Sequence, residues 1–302
     1  MPRRILIVGA TGQQGSATVD ALLALPETTT ADLHVVGLTR NPASAKAQAL
    51  QKAHPEKISF LQGDFKKPTA VFASLAAADD KVQSLYLFTM PGTPEDVHGK
   101  AWIDAALEHG VSQIVLSTVD RGGDAVSCDT PTVVPHFAQK HAVEAYLRDS
   151  SVRHWTVLRP TAFYENLNPV VTCSIYNAAW AITSPSKPLQ YVSARDIGLF
   201  AAKALADPEG WHGKAMALAG DEMTQAQAKE TLKRVVGKDM PHAWTIFASI
   251  VFWLLPDVKK MFVWFETDGY GADIEALRKM EPRLQDFETW LKESSKWTAK
   301  QE

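Results

Sequence analysis

Cysteine is scarce: Cys128 and Cys173 are the only two in 302 residues. Neither sits in a CxxC spacing or a His/Cys cluster, which leaves a disulfide framework or a structural zinc site without sequence support. A cytoplasmic, reducing setting is therefore expected. Excess positive charge is also missing, since 31 Lys and Arg face 34 Asp and Glu for a formal net charge of -3. Direct nucleic-acid binding has no electrostatic footprint here. Long apolar runs are absent too: the longest, Trp244 to Leu255, stops at Pro256, short of the roughly 20 residues a membrane-spanning helix needs. The opening Met1-Pro2-Arg3-Arg4 leads into four apolar residues and then glycines, unlike a secretory signal. The chain holds no internal repeat, and only the polar tail from Glu293 to Glu302 is expected to fray.

What the chain does contain is alternation. Short β-branched runs at Ile5–Val8, Leu33–Leu38, Ile58–Gln62, Ser84–Phe88, Gln113–Ser117 and Trp155–Leu158 read as strands. Helical patterns lie between them at Ser16–Leu25, Ala43–Ala53, Val97–Glu108 (ended by Gly110) and His136–Arg148. Such alternation predicts an α/β fold, a doubly wound parallel Rossmann sheet. Beyond about residue 163 the pattern loosens into mainly helical stretches, Asn168–Ile182, Met223–Val236 and Ala243–Phe265. We therefore expect a first domain at 1–163 and a smaller lobe at 164–302. Sheet returns are expected near 189–206 and 215–218, where Leu189–Val192 and Ala215–Leu218 read as strands.

Gly9-Ala10-Thr11-Gly12-Gln13-Gln14-Gly15 follows the first strand and opens a helix. In that context glycines let the backbone approach a pyrophosphate, which the helix amides and dipole then face. A tight turn requiring glycine for geometry alone is the plainer alternative. Where a carboxylate at the end of the second strand would hold an unphosphorylated ribose, this chain has Thr39-Arg40. A guanidinium there pairs with a 2′-phosphate, so NADP(H) is the expected cofactor, with Lys46 as a second charge. Asp64 and Phe65 end the third strand, where they could meet the adenine edge or form a simple turn. Thr89 and Met90, within Thr89-Met90-Pro91-Gly92 after the fourth strand, fall where ligands of such folds sit.

Taken together, the glycine spacing, Thr39-Arg40-Asn41-Pro42, Leu116-Ser117-Thr118-Val119, His136-Phe137-Ala138-Gln139-Lys140 and Arg159-Pro160 to Phe163-Tyr164-Glu165-Asn166 resemble the NmrA-like family of atypical short-chain dehydrogenases/reductases. The resemblance extends to Ser193–Gly198 and Phe287–Lys292. It implies a Rossmann lobe, a small carboxyl-terminal lobe and a cofactor in the cleft between them. Family members are either NADP(H)-dependent reductases or non-catalytic sensors that regulate through protein contacts.

Ordinary short-chain dehydrogenases supply a proton and a charge through a Tyr-x-x-x-Lys pair plus serine. Here His136 stands in the tyrosine's place, one helical turn before Lys140. The resemblance implies that Lys140 bonds the nicotinamide ribose; Ser117 or Thr118, at the carboxyl end of the fifth strand, could position a carbonyl or the nicotinamide carboxamide. Tyr164 is a second candidate proton donor, the alternative being a buried tyrosine, and Tyr164 and Asn166 would flank the nicotinamide. Trp244, Phe247, Phe252, Trp253, Phe262, Trp264 and Phe265 could wall an apolar pocket, serve a partner surface or fill a core. Two functions are carried forward. One is an NADPH-dependent oxidoreductase acting on an apolar carbonyl, quinone or activated double bond; the other is a redox sensor with a regulatory protein partner and entry to the nucleus.

Overall fold

The computed structural model describes residues 3–78, 81–90 and 92–297. Met1-Pro2, Pro91 and the last five residues of the expected polar tail lie outside them. Ten strands are present among the described residues: β1 (Arg3–Ile7), β2 (Leu33–Thr39), β3 (Ile58–Gln62), β4 (Ser84–Phe88), β5 (Gln113–Ser117), β6 (His154–Pro160), β7 (Ala162–Phe163), β8 (Leu189–Val192), β9 (Lys214–Leu218) and β10 (Asp221–Met223). Seven make one sheet in the order β3-β2-β1-β4-β5-β6-β9. The first six pair in parallel, with Ile5 opposite both Val35 and Ser84.

Parallel strands need crossovers, and the helices Gln13–Leu23, Ala45–Ala53, Pro68–Ala77, Glu95–Glu108 and Pro135–Arg148 supply them. Helices on both faces bury the central strands completely, so Leu6, Leu85, Ile114 and Val157 have no exposure. Because β1 lies between β2 and β4, the winding reverses there. Ligands of open α/β sheets bind outside the carboxyl ends of strands at such a switch.

Two compact units divide the chain: Met1–Thr118, Gln139–Leu158 and Ile197–Ala215 form the first, and Val119–Ala138, Arg159–Asp196 and Met216–Glu302 the second. The chain passes from the first unit to the second after Thr118, after Leu158 near the end of β6, and after Ala215 within β9. The first unit's core gathers strand residues with Phe72, Trp102 and Ile103. The second is built on aromatics, among them Phe137, Tyr164, Trp180, Tyr191, Phe262, Trp264 and Trp290.

Leu189–Val192 does not return to the large sheet. It pairs in parallel with β7 and antiparallel with β10 in a separate three-stranded sheet. Alternating hydrophobicity signals a strand but not its partner. Lys214–Leu218 does join the large sheet, at its edge. Ala243–Phe265 becomes two helices, Thr245–Leu254 and Pro256–Thr267, because Pro256 lacks the amide an uninterrupted helix would use. Pro68–Ala77 was not anticipated, although proline at its first position is a legible helix start.

Candidate functional site

In the first unit the loop after β1 is tightly constrained. Gly9 has φ +61 and sits under the Phe88 ring, which a Cβ would meet at 2.8 Å. A Cβ on Gly15 would lie 2.2 Å from the Gly9 carbonyl oxygen, so the helix start packs directly on the loop backbone. The Gly12 amide donates to the Gly9 carbonyl (2.8 Å), and the amide of buried Ala10 donates to the Leu38 carbonyl (3.0 Å). The helix Gln13–Leu23 has no capping side chain and no acidic residue in its first turn. Its leading amides, on Gln13, Gln14 and Gly15, can therefore meet an anion.

Thr11 and Thr39 join the loop to the end of β2 through their hydroxyls, 3.1 Å apart. Arg40 follows, exposed, and its guanidinium makes no hydrogen bond or ion pair among the described residues. Lys46 is exposed on the helix Ala45–Ala53. Burial raises the pKa of the nearby Asp20 carboxyl, and the Lys46 charge opposes part of that shift. Asp64 is turned to its own loop, accepting from the Lys66 amide at 3.0 Å. Phe65 is a core side chain stacked 6.0 Å from Trp102.

Ser117 is fully committed inside the protein. Its hydroxyl donates to Gln14 Oε1 at 2.7 Å, and the Tyr86 hydroxyl donates to the same oxygen at 3.2 Å. Burial pushes the Tyr86 hydroxyl up to about 12. Gln14 thereby ties the helix start to β4 and β5, a role for a loop residue that its sequence position alone does not reveal.

Lys140 is 8 % exposed. Its Nζ donates to Glu95 Oε2 (2.6 Å), Thr89 Oγ1 (2.7 Å) and the Thr89 carbonyl (3.3 Å). Three N–H groups thus have three partners. Burial lowers the Lys140 pKa, and the Glu95 carboxylate opposes that shift. Glu95 was not anticipated; it is 1 % exposed and opens the helix Glu95–Glu108. Met90, next to Thr89, is exposed.

The remaining candidates belong to the second unit. His136 is half-buried in the first turn of the helix Pro135–Arg148, edge-on to Phe137 at 4.6 Å. Tyr164, expected either as a second proton donor or as a buried tyrosine, lies in the core of this unit. It has no exposure and packs between Tyr191 (5.8 Å), Phe287 (5.6 Å) and Trp290 (5.4 Å). Its hydroxyl is buried without a hydrogen bond among the described residues, and burial, with Asp221, Asp196 and Asp286 nearby, holds it well above the ordinary tyrosine range. Asn166 is exposed in the short turn of 3-10 helix Tyr164–Leu167. The aromatic stretch divides: Phe252, Phe262, Trp264 and Phe265 are core, while Trp244 is 77 % and Trp253 81 % exposed. Also unanticipated is a buried pair at the start of this unit. The Asp120 carboxylate accepts from Gly123 (2.9 Å), Ser127 (2.9 Å) and Gly271 (2.8 Å), and Arg121 donates to the carbonyls of Val119, Ser127 and Thr130.

A doubly wound sheet whose switch point carries a glycine loop and a bare helix start defines the Rossmann class. The NmrA-like family model matches residues 1–291, and the chain belongs to that family. An NmrA-like family domain-containing protein of Dictyostelium discoideum is 24 % identical, covering 97 % of this chain and 98 % of its own length. An NmrA-like family domain-containing oxidoreductase of Penicillium ochrochloron is 27 % identical over 90 % of this chain and 86 % of its own. Among solved structures, triphenylmethane reductase of Citrobacter sp. complexed with NADP(H) has a TM-score of 0.69 at 18 % identity, covering 96 % and 99 % of the two chains. The NADPH-dependent quinone oxidoreductase of Escherichia coli complexed with NADPH has a TM-score of 0.67 at 24 % identity, covering 91 % and 93 %. Among the described residues no helix is long and apolar enough to cross a membrane, and no cluster could hold a metal.

Proposed function

We propose that the chain is an NADP(H)-dependent oxidoreductase that reduces an apolar carbonyl, quinone or activated double bond. One observation carries the reading. A glycine loop with a bare helix start lies at the switch point, and the neighbouring β2 ends in an exposed, unpartnered Arg40 with no carboxylate beside it. The loop would hold the pyrophosphate and Arg40 the 2′-phosphate. In this reading the first unit binds the dinucleotide and the second serves a substrate or partner. The NADP(H) bound by the Citrobacter and Escherichia coli proteins supports the same assignment. A chain whose two cysteines, Cys128 and Cys173, form no disulfide suits a reducing compartment.

The cofactor would supply the hydride. Of the four side chains expected to assist, Ser117, Lys140 and Tyr164 are buried and held by internal contacts; the half-buried His136, in the first turn of its helix, is the candidate proton donor. That same observation favours a second reading, a non-catalytic NADP(H) sensor acting through protein contacts, for which the exposed Trp244 and Trp253 offer a surface. The two part on one assay, NADPH consumption against a panel of quinones, enones and aldehydes. Turnover that falls in His136→Ala supports the oxidoreductase. NADPH bound but not consumed by any compound selects the sensor.

A further inference from the structure

The helix Thr245–Leu254 of the second unit carries no charge, and no Asp, Glu, Lys or Arg occurs between Asp239 and Asp257. Its only polar side chains are Thr245 and Ser249, and the Ser249 hydroxyl is turned back onto the Thr245 carbonyl at 3.1 Å. One face of this helix is accounted for. Ala248 and Phe252, one turn apart, are buried in the aromatic core, with the Phe252 ring 5.8 Å from that of Phe262. The opposite face is just as apolar. Ile246, Ile250 and Trp253 follow the i, i+4, i+7 spacing of a single stripe, flanked by Phe247 and Leu254. Trp244 extends it, its ring 6.4 Å from that of Phe247. These six side chains are between 45 and 81 % exposed, although a helix apolar on all sides is ordinarily buried on all sides.

Area and charge together say what fits there. With roughly 150–250 Å² for each aromatic side chain and less for each aliphatic one, the stripe offers on the order of 700 Å². That exceeds the about 300–600 Å² of the largest apolar patch on an ordinary monomer. It comes close to the about 800 Å² that each partner buries in a stable pairing. A two-fold contact further requires one patch to be complementary to itself. An uncharged stripe meets that requirement, since pairing with its own copy buries no unpaired ion. A bilayer is the poorer match: interfacial helices carry Lys and Arg on the side opposite their apolar face, and here that side is the core of the unit.

We propose that a second copy of this chain covers the stripe, the two Thr245–Leu254 helices packing antiparallel about a two-fold axis near Ile250, the middle residue of the face. The pairing does not depend on the dinucleotide, and it makes the chain itself the protein contact that the sensor reading calls for. An interface without ion pairs stands at the weak end of what such an area gives, so dissociation in the micromolar range is expected. Protein diluted below that range gains little stability from pairing.

Sedimentation velocity of the full chain between about 1 and 100 μM reads the association. The parent should pass from one chain to two across that range. Ile250→Lys and Ile250→Asp each bring like charges together at the axis, so each variant alone should associate at least about 30-fold more weakly. Mixed in equal amounts, the two should pair again to within about threefold of the parent, which also shows that both are folded. A parent that stays monomeric at the highest concentration would overturn the proposal. Single variants that associate as the parent does, or a mixture that fails to pair, would overturn it equally. A monomeric parent that instead sediments with phosphatidylcholine vesicles would assign the face to a membrane and contradict the pairing.

Discussion

At the carboxyl ends of its strands the first unit holds two hydrogen-bonded groups of polar side chains, Gln14 with Ser117 and Tyr86, and Lys140 with Thr89 and Glu95. The second unit instead stacks its buried hydroxyls among aromatic rings, with Tyr164 between Tyr191 and Trp290 and the Tyr176 and Tyr191 hydroxyls 3.0 Å apart. Both arrangements remove titratable groups from solvent, but they do it differently. Hydrogen bonding fixes the loop side to a tolerance of tenths of an ångström. Aromatic packing fixes the other by volume, which tolerates the loss of a single polar atom far better.

The sharpest way to break this contrast is at Gly15. Gly15→Val places side-chain atoms where the Gly9 backbone already is, so we expect about 3 kcal/mol of lost stability. NADPH affinity should fall on the order of 100-fold, read by thermal melting and titration. Retained affinity would mean the loop is looser than its geometry.

A smaller effect is expected from Asp196, fully buried in the second unit, where burial pushes its carboxyl up to about 6 against the Gln285 amide and the Arg195 guanidinium. Between about pH 4 and 6 the folded protein keeps a proton that the unfolded chain, with its ordinary carboxylate value of 3.8, has released. The folded state binds more protons there, so this contribution to stability is present at low pH and lost as pH rises through 6. It amounts to about 2–3 kcal/mol. Asp196→Asn should flatten that decline in a pH series of denaturant melts; an unchanged slope would place the titration elsewhere.

Smaller again is Tyr164→Phe, which deletes a buried hydroxyl that has no hydrogen bond among the described residues. Stability should stay within about 1 kcal/mol of the parent or rise, with turnover unchanged. Lost turnover in a folded variant would return Tyr164 to the chemistry. Smallest of all is Trp253→Ser at an 81 % exposed position, where the melting curve should shift by no more than about 0.5 kcal/mol.

The parts of the molecule legible in sequence are those set by neighbours along the chain. The glycine loop, Thr39-Arg40 and six strands of the large sheet are local patterns of spacing and alternation, and the structure has them where those patterns lie. Partnerships are not local. Glu95 is 45 residues from Lys140, and nothing in the spacing of His136 and Lys140 shows that a carboxylate from another helix already holds the ammonium. Tyr164 reads as a loop residue beside a strand, yet the rings that enclose it come from Tyr191, Phe287 and Trp290. For β8, alternation identified the strand but not its sheet, because its partners β7 and β10 are too short to be legible themselves.

In the proposed function, the exposed guanidinium of Arg40, just past β2, selects the phosphorylated dinucleotide. Parallel titrations of the parent and Arg40→Glu with NADPH and NADH test it directly. NADPH affinity should fall on the order of 100-fold in the variant while NADH stays within about threefold. Equal losses for both cofactors, or none for either, would contradict the assignment of Arg40 to the 2′-phosphate.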